Sequence, residues 1–366
     1  MEFDFSEEQR ALADTVRRFV ARDYGFERRR AIAADAGGWS REAWRTLAEI
    51  GVTAINVPEA HGGLGYGAVE AGLVAGILGP ALALEPFIAA AVAAPAALRL
   101  AGDPAFADAW LPRIAGGEAI VVLAHGEPGR GIATSATPVG DGWRLDGREV
   151  AVSHAGAADL LLVPARLPDG TTGLFAAHAT AAGLVRDDYP TLDGHRAADV
   201  ALSGTDAVRV GTDPTAAVAA ARNAGLCALC WEAVGILDAA MAATAEYLRT
   251  RRQFGQPIGR FQALQHRMAD MLLHAEQARS MSYLAAAHCD GADPAQRRRV
   301  LSAAKVTIGH ACRFVAQGMV QLHGGMGMTD ELIVSHWFKR LTAIEMTAGD
   351  TDFHLQRFAQ HSRTSP

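Results

Sequence analysis

Mainly α with a β insert is the fold class this sequence predicts, and three observations carry it. The chain up to residue 117 reads as amphipathic and alanine-rich helix. Residues 118–211 then break into short apolar or alternating runs divided by Gly, Pro and Asp. Residues 212–366 return to long helical periods. This order predicts an N-terminal all-α domain (1–117), a middle antiparallel β domain (118–211) and a C-terminal helical bundle domain (212–366), without the βαβ alternation of a Rossmann arrangement.

Taken in order, Ser6-Glu7-Glu8-Gln9 is a capping-box pattern, followed by Leu12, Val16 and Phe19 on one helical face. A second helix starts near Ser40 and carries Trp44, Leu47 and Ile50. The segment from Gly51 to Ala68 is a loop. Its G-x-G-x-G has no strand–turn–helix unit around it and is no dinucleotide turn. Helix resumes over 69–101 and 106–114. From Ile120 the strand texture begins, with Gly140-Asp141-Gly142 before Trp143 as a hairpin candidate, and it extends to Val210. Helices are then expected over 216–250, 261–289 and 294–322, with shorter pieces to the end.

The bulk numbers narrow the function classes. Half of the 366 residues are hydrophobic, 20% are charged and the net charge is −6. That suits a globular chain and argues against nucleic-acid binding, which favours a basic surplus. The run from Leu82 to Leu100 is the richest apolar stretch and is interrupted by Glu85, Pro86 and Pro95, so no membrane span is expected. The acidic N-terminus lacks the layout of a signal peptide, which makes a cytoplasmic location the expectation. Cys227 and Cys230 form a C-x-x-C inside an apolar helical pattern with no second Cys/His pair. They read as buried helix cysteines, and no metal site is expected.

The most informative stretch runs from Arg249 to Met271. Gly255, Pro257 and Gly259 break one helix, and Leu264, Met268 and Met271 recur at helical spacing in the next. Arg249, Arg251, Arg252, Gln253 and Phe254 thus stand together at a helix end. Cations, an amide and an aromatic ring suit a phosphate-bearing partner with a flat surface. A basic helix terminus offsetting its own dipole is the alternative.

This arginine turn, together with Gln321 to Glu331 (QLHGGMGMTDE), Gly126 to Gly131 (GEPGRG) and Val57 to Gly65, resembles the acyl-CoA dehydrogenase flavoprotein family in order and spacing. The resemblance covers essentially the whole chain. It implies a helical domain, a β domain and a C-terminal four-helix bundle, in homo-oligomers or in α2β2 heterotetramers. It implies FAD as cofactor, with Arg251, Gln253 and Phe254 and then Gln321, Gly324 and Gly325 holding the diphosphate and adenosine of a neighbouring subunit's flavin. Gly126 and Ser153 match positions beside the isoalloxazine. The reaction implied is α,β-desaturation of acyl-CoA or another acyl thioester, with an electron-transfer flavoprotein as acceptor.

Departures cluster on one side of that pattern. The family's usual catalytic Glu falls at Ala348 or Gly349 here, and its alternative place on the long helix falls at Gly225. Asp350 is the nearest carboxylate and the candidate base, with Asp352 next. The Ser that helps hold the thioester is Ile132, and the Trp-x-Thr pair is Ala151 and Ser153. What is lent to a neighbour is intact; what would build the chain's own site is eroded. That pattern fits the FAD-completing subunit of a heteromer with a Glu-bearing homologue, as in the branch acting on steroid side-chain thioesters. A self-sufficient homomer, a carrier-protein thioester desaturase or flavin monooxygenase relative, and a non-enzymatic scaffold are the alternatives.

Overall fold

The structure, a computed structural model, describes residues 5–125 and 131–362. Two compact units share the chain. One comprises Arg30–Ala71 and Leu84–Gly225; the other comprises the chain up to Arg29, Gly72–Ala83 and the chain from Leu226.

The N-terminal helices are α1 (Glu7–Asp23), α2 (Phe26–Ala34), α3 (Arg41–Glu49), α4 (Ala68–Leu78), α5 (Ala94–Leu100) and α6 (Pro104–Ala115). Ser6 and Gln9 close the expected capping box, and Ser40 caps α3 through Ala43 N–H. Asp103 caps α6, with Pro104 at its first position, where a missing N–H costs nothing. Phe87–Ala93, directly before α5, is a π-helical turn in which Ala94 N–H reaches back to Ala89 O. Pro95 accounts for it: the ring lacks an N–H and crowds the preceding turn, so the helix widens upstream.

The β domain holds β1 (Val121–Leu123), β2 (Ser135–Val139), β3 (Gly142–Ser153), β4 (Leu160–Arg166), β5 (Thr172–His178), β6 (Leu184–Pro190) and β7 (Arg196–Arg209). The path β4-β2-β3-β7-β5 closes on itself because β5 also pairs with β4, and β6 extends β7. Val139 pairs with Gly142, so Gly140 and Asp141 form the expected two-residue hairpin loop. The ladders are antiparallel apart from β1 on β4 and the single pair Ser135–Arg166 between β2 and β4, which are parallel. The apolar faces of α5 and α6 cover this sheet. Leu98, Trp110, Leu111 and Ile114 share a buried cluster with Val121, Leu160, Leu162 and Leu174, each worth about 1.5–3 kcal/mol when fully buried.

The remaining elements are α7 (Pro214–Thr250), the short strands β8 (Arg252–Gln253) and β9 (Gln256–Pro257), then α8 (Gln262–Cys289), α9 (Pro294–His323), α10 (Ile333–Met346) and α11 (Thr351–Ser362). On α8, Met271, Ala275, Ala278, Ser282, Ala285 and Cys289 are buried; on α9, Leu301, Lys305, Ile308, Cys312, Val315, Met319 and Leu322 are. Steps of three and four mark a seam of coiled-coil type, and the small residues of α8 let the backbones close in. Gly318 lies where a Cβ would stand 2.6 Å from Met271 Sδ. One expectation needs correction: α7 is long and apolar enough to cross a membrane, with a mean hydropathy of 1.6 over its best window. Its isolated polar residues hid that run, and 67% of the window is buried within the protein, as in a core helix. Cys227 and Cys230 are buried on it as free thiols, and burial pushes the Cys230 thiol up to about 12.

Candidate functional site

The arginine turn is a miniature hairpin. Arg252 pairs with Pro257 and Gln253 with Gln256, leaving Phe254 and Gly255 as a two-residue loop with φ of 53° and 77°. Both angles are left-handed, as a type I′ turn requires. Glycine accepts this freely; an aromatic residue does so at about 1–2 kcal/mol. Phe254 is nevertheless 89% exposed, with a T-shaped contact to Phe261 at 6.0 Å between ring centroids. The hairpin folds back on α7: Arg251 N–H donates to Tyr247 O at 2.8 Å, and Ile258 N–H donates to Arg251 O at 2.9 Å. The side chains of Arg251, Arg252 and Gln253 are exposed, and the Arg251 guanidinium engages no side chain among the described residues.

The second motif ends α9. Gly324 has φ 62° and ψ −145°, a region essentially confined to glycine, and its N–H caps Gln321 O. At both Gly324 and Gly325 nothing lies within 4 Å of where a Cβ would stand, so the backbone is bare. The two motifs come together. Tyr247 stacks on His323 with ring centroids 4.5 Å apart at 26°, and its hydroxyl reaches His323 O at 3.4 Å. Exposed cations, an exposed ring and bare backbone glycines thus share one end of this unit. That set fits a dinucleotide diphosphate: the guanidinium forks onto phosphate oxygens, and the glycines admit close approach of N–H groups.

Asp350 serves as the N-cap of α11. Its Oδ1 accepts from Phe353 N–H at 2.8 Å and its carbonyl from His354 N–H at 3.1 Å. The loop before it is pinned from inside. Buried Lys305 donates to Glu345 O at 2.8 Å and Gly349 O at 2.7 Å, and His354 Nε2 donates to Ala348 O at 3.0 Å. Ala348 and Gly349 are both left-handed, with φ of 61° and 97°. A Cβ at Gly349 would stand 2.5 Å from the Phe353 ring. Burial, with Lys305 and Arg357 adding repulsion against hydrogen bonding to Ala348, drives the His354 pKa down to about 4.

In the β domain, Ser153 is exposed at the end of β3, just past a bulge between Glu149 and Val152. Ala151 takes the strained position at φ 55°, where its N–H donates to Asp199 Oδ1 at 2.9 Å. Arg148 and the Tyr189 hydroxyl hold the same carboxylate. Behind Ser153, buried His154 donates from Nε2 to Leu84 O at 3.1 Å, so in the neutral ring its Nδ1 accepts the Ser153 proton at 3.0 Å. Ile132 is half-buried, and Gly126 lies outside the described residues. Sequence reasoning missed Tyr247, His323 and Lys305. Tyr247 stands one helical turn before Arg251, which was a usable signal; Lys305 stands at an apolar register position and gave none.

Residues 6–118 match the acyl-CoA dehydrogenase N-terminal domain and residues 217–362 the acyl-CoA dehydrogenase C-terminal domain. The chain belongs to the acyl-CoA dehydrogenase family. Acyl-CoA dehydrogenase FadE27 of Mycobacterium tuberculosis is 30% identical over 348 residues, covering 90% of each chain. The ChsE4-ChsE5 complex of Mycobacterium tuberculosis superposes with a TM-score of 0.91 at 28% identity over 100% of both chains. A variant of the Tcur3481-Tcur3483 steroid ACAD gives 0.89 at 29% identity over 98% of both. In this acyl-CoA dehydrogenase the arginine turn and the Gly324-Gly325 turn stand together, while positions 348–349 offer no carboxylate.

Proposed function

We infer that this chain acts as an FAD-completing subunit of a heteromeric acyl-CoA dehydrogenase, assembled with a homologue that carries the catalytic Glu. The observation that carries this reading is the loop between α10 and α11. Ala348 and Gly349 cannot take a proton, Gly349 has no room for a side chain, and the Asp350 carboxylate is committed to a helix N-terminus. The likeness to two structures named as pairs of chains, one of them a steroid ACAD, supports both the assembly and a bulky acyl-CoA substrate.

FAD, when bound, supplies the hydride acceptor for α,β-desaturation of the acyl thioester. In this reading Arg251 neutralises the diphosphate, Gln253 and Gln321 offer amides, Phe254 offers its exposed face, and Gly324 and Gly325 offer backbone that no side chain shields. The exposure of Phe254 despite its strained backbone is then explained by a partner that covers it. Ser153, whose proton His154 holds, is left to accept hydrogen bonds. Reducing equivalents pass on to an electron-transfer flavoprotein, and the domain limits 1–117, 118–211 and 212–366 remain our division of the chain.

The test is purification of this chain alone, followed by its visible flavin spectrum and acyl-CoA desaturation. No turnover is expected. A yellow homotetramer desaturating acyl-CoA at full rate would overturn the reading and return Asp350 to the role of base.

A further inference from the structure

The two diphosphate motifs are far apart in the chain and are carried by the C-terminal ends of α7 and α9. Helix C-termini carry partial negative charge and repel an anion. Arg251 and the uncrowded backbone at Gly324-Gly325 must therefore be held facing the same point to meet one diphosphate. The contact that holds them so is internal to the unit. Tyr247 accepts from Arg251 N–H through its carbonyl, while its ring covers His323, the residue directly before Gly324. His323 is itself fixed: it is buried, and its Nδ1 donates to Met319 O at 2.9 Å. The following turn closes tightly on it, since a Cβ at Gly327 would stand 3.0 Å from His323 Cβ and 2.9 Å from Val320 O. Burial also lowers the imidazole pKa, against the hydrogen bond to Met319 O. The stacked rings and the Tyr247 hydroxyl at 3.4 Å from His323 O join the two helix ends directly.

We propose that Tyr247 and His323 form a positioning pair, which sets the distance between the Arg251 cation and the Gly324-Gly325 backbone so that both meet one dinucleotide diphosphate. This rests on the FAD reading above. Neither residue need touch the cofactor; they act through the residues beside them.

The experiment uses the assembly in which the chain holds FAD. Dissociation constants for FAD and for ADP, which carries the diphosphate without the flavin, are measured by titration for wild type, Arg251→Ala, Tyr247→Leu and His323→Phe, with thermal unfolding recorded for each. Tyr247→Leu is expected to weaken both ligands about tenfold, as loss of one aromatic contact would. His323→Phe keeps a flat ring against Tyr247 and is expected to bind within about twofold of wild type, which a role for the imidazole nitrogens alone would not allow. If Tyr247→Leu binds as wild type does while Arg251→Ala binds weakly, the positioning role is overturned and the FAD reading stands. If wild type holds neither ligand, both fail. Should Tyr247→Leu unfold, His323→Phe decides: weak binding by that folded variant overturns the proposal.

Discussion

Phe254 combines a backbone conformation unfavourable for its type with 89% exposure. Phe254→Gly should therefore stabilise the isolated chain by about 1 kcal/mol in denaturant unfolding, because glycine accepts φ > 0 freely. The same substitution should weaken FAD binding; a variant equal to wild type in both respects would make the turn merely structural. His354 supplies a prediction of opposite character. Its folded pKa of about 4 lies below its ordinary 6.5, so the unfolded chain takes up the proton first as pH falls. Its contribution to stability is thus complete above pH 6.5 and lost as pH falls from there toward about 4. His125, depressed to about 4 by burial and then by Arg222, acts in the same window. Thermal midpoints measured from pH 7 to 4.5 should fall less steeply for His354→Gln than for wild type.

The elements show where sequence is informative. The long helices were readable because their ends carry chemistry: Asp293-Pro294 opens α9, and Gly324 closes it. The π-turn at Phe87–Ala93 was not, since alanine-rich periodicity is indifferent to one extra residue per turn and only Pro95 betrays it. Closure of the strands through β4 and β5 was likewise hidden, because alternation reports the face of a strand and not its neighbours. The candidate site divides in the same way. Motif spacing exposed Arg251 and Gly324, whereas the Tyr247–His323 stack joins residues 76 apart, which no local pattern records. The loop between α10 and α11 gives two tests. Lys305→Met leaves the carbonyls of Glu345 and Gly349 without their buried donor and should cost about 2–4 kcal/mol by denaturant unfolding. Asp350→Asn keeps a good cap and should leave both stability and the turnover of the full assembly unchanged. Lost turnover with intact flavin would instead identify Asp350 as the base.

At the scale of the molecule, the helix–β–helix order and the family motifs agree, yet the chemistry is distributed unevenly. The unit that includes the chain from Leu226 carries the exposed arginine turn beside Gly324-Gly325, and a closed loop whose positions 348 and 349 hold no carboxylate and whose Asp350 caps a helix. Exposed Leu272, Leu273, Phe314, Met326 and Met328 in that same unit offer apolar surface suited to burial against a subunit. A subunit that completes another's flavin site needs the first feature and not a working base. The measurement that tests this most directly is native mass spectrometry of this chain co-purified with a Glu-bearing homologue, comparing wild type with Arg251→Ala. The expected result is a heteromer that carries FAD with wild-type chain and stays assembled but loses FAD with Arg251→Ala. Full FAD occupancy in the variant heteromer would contradict it.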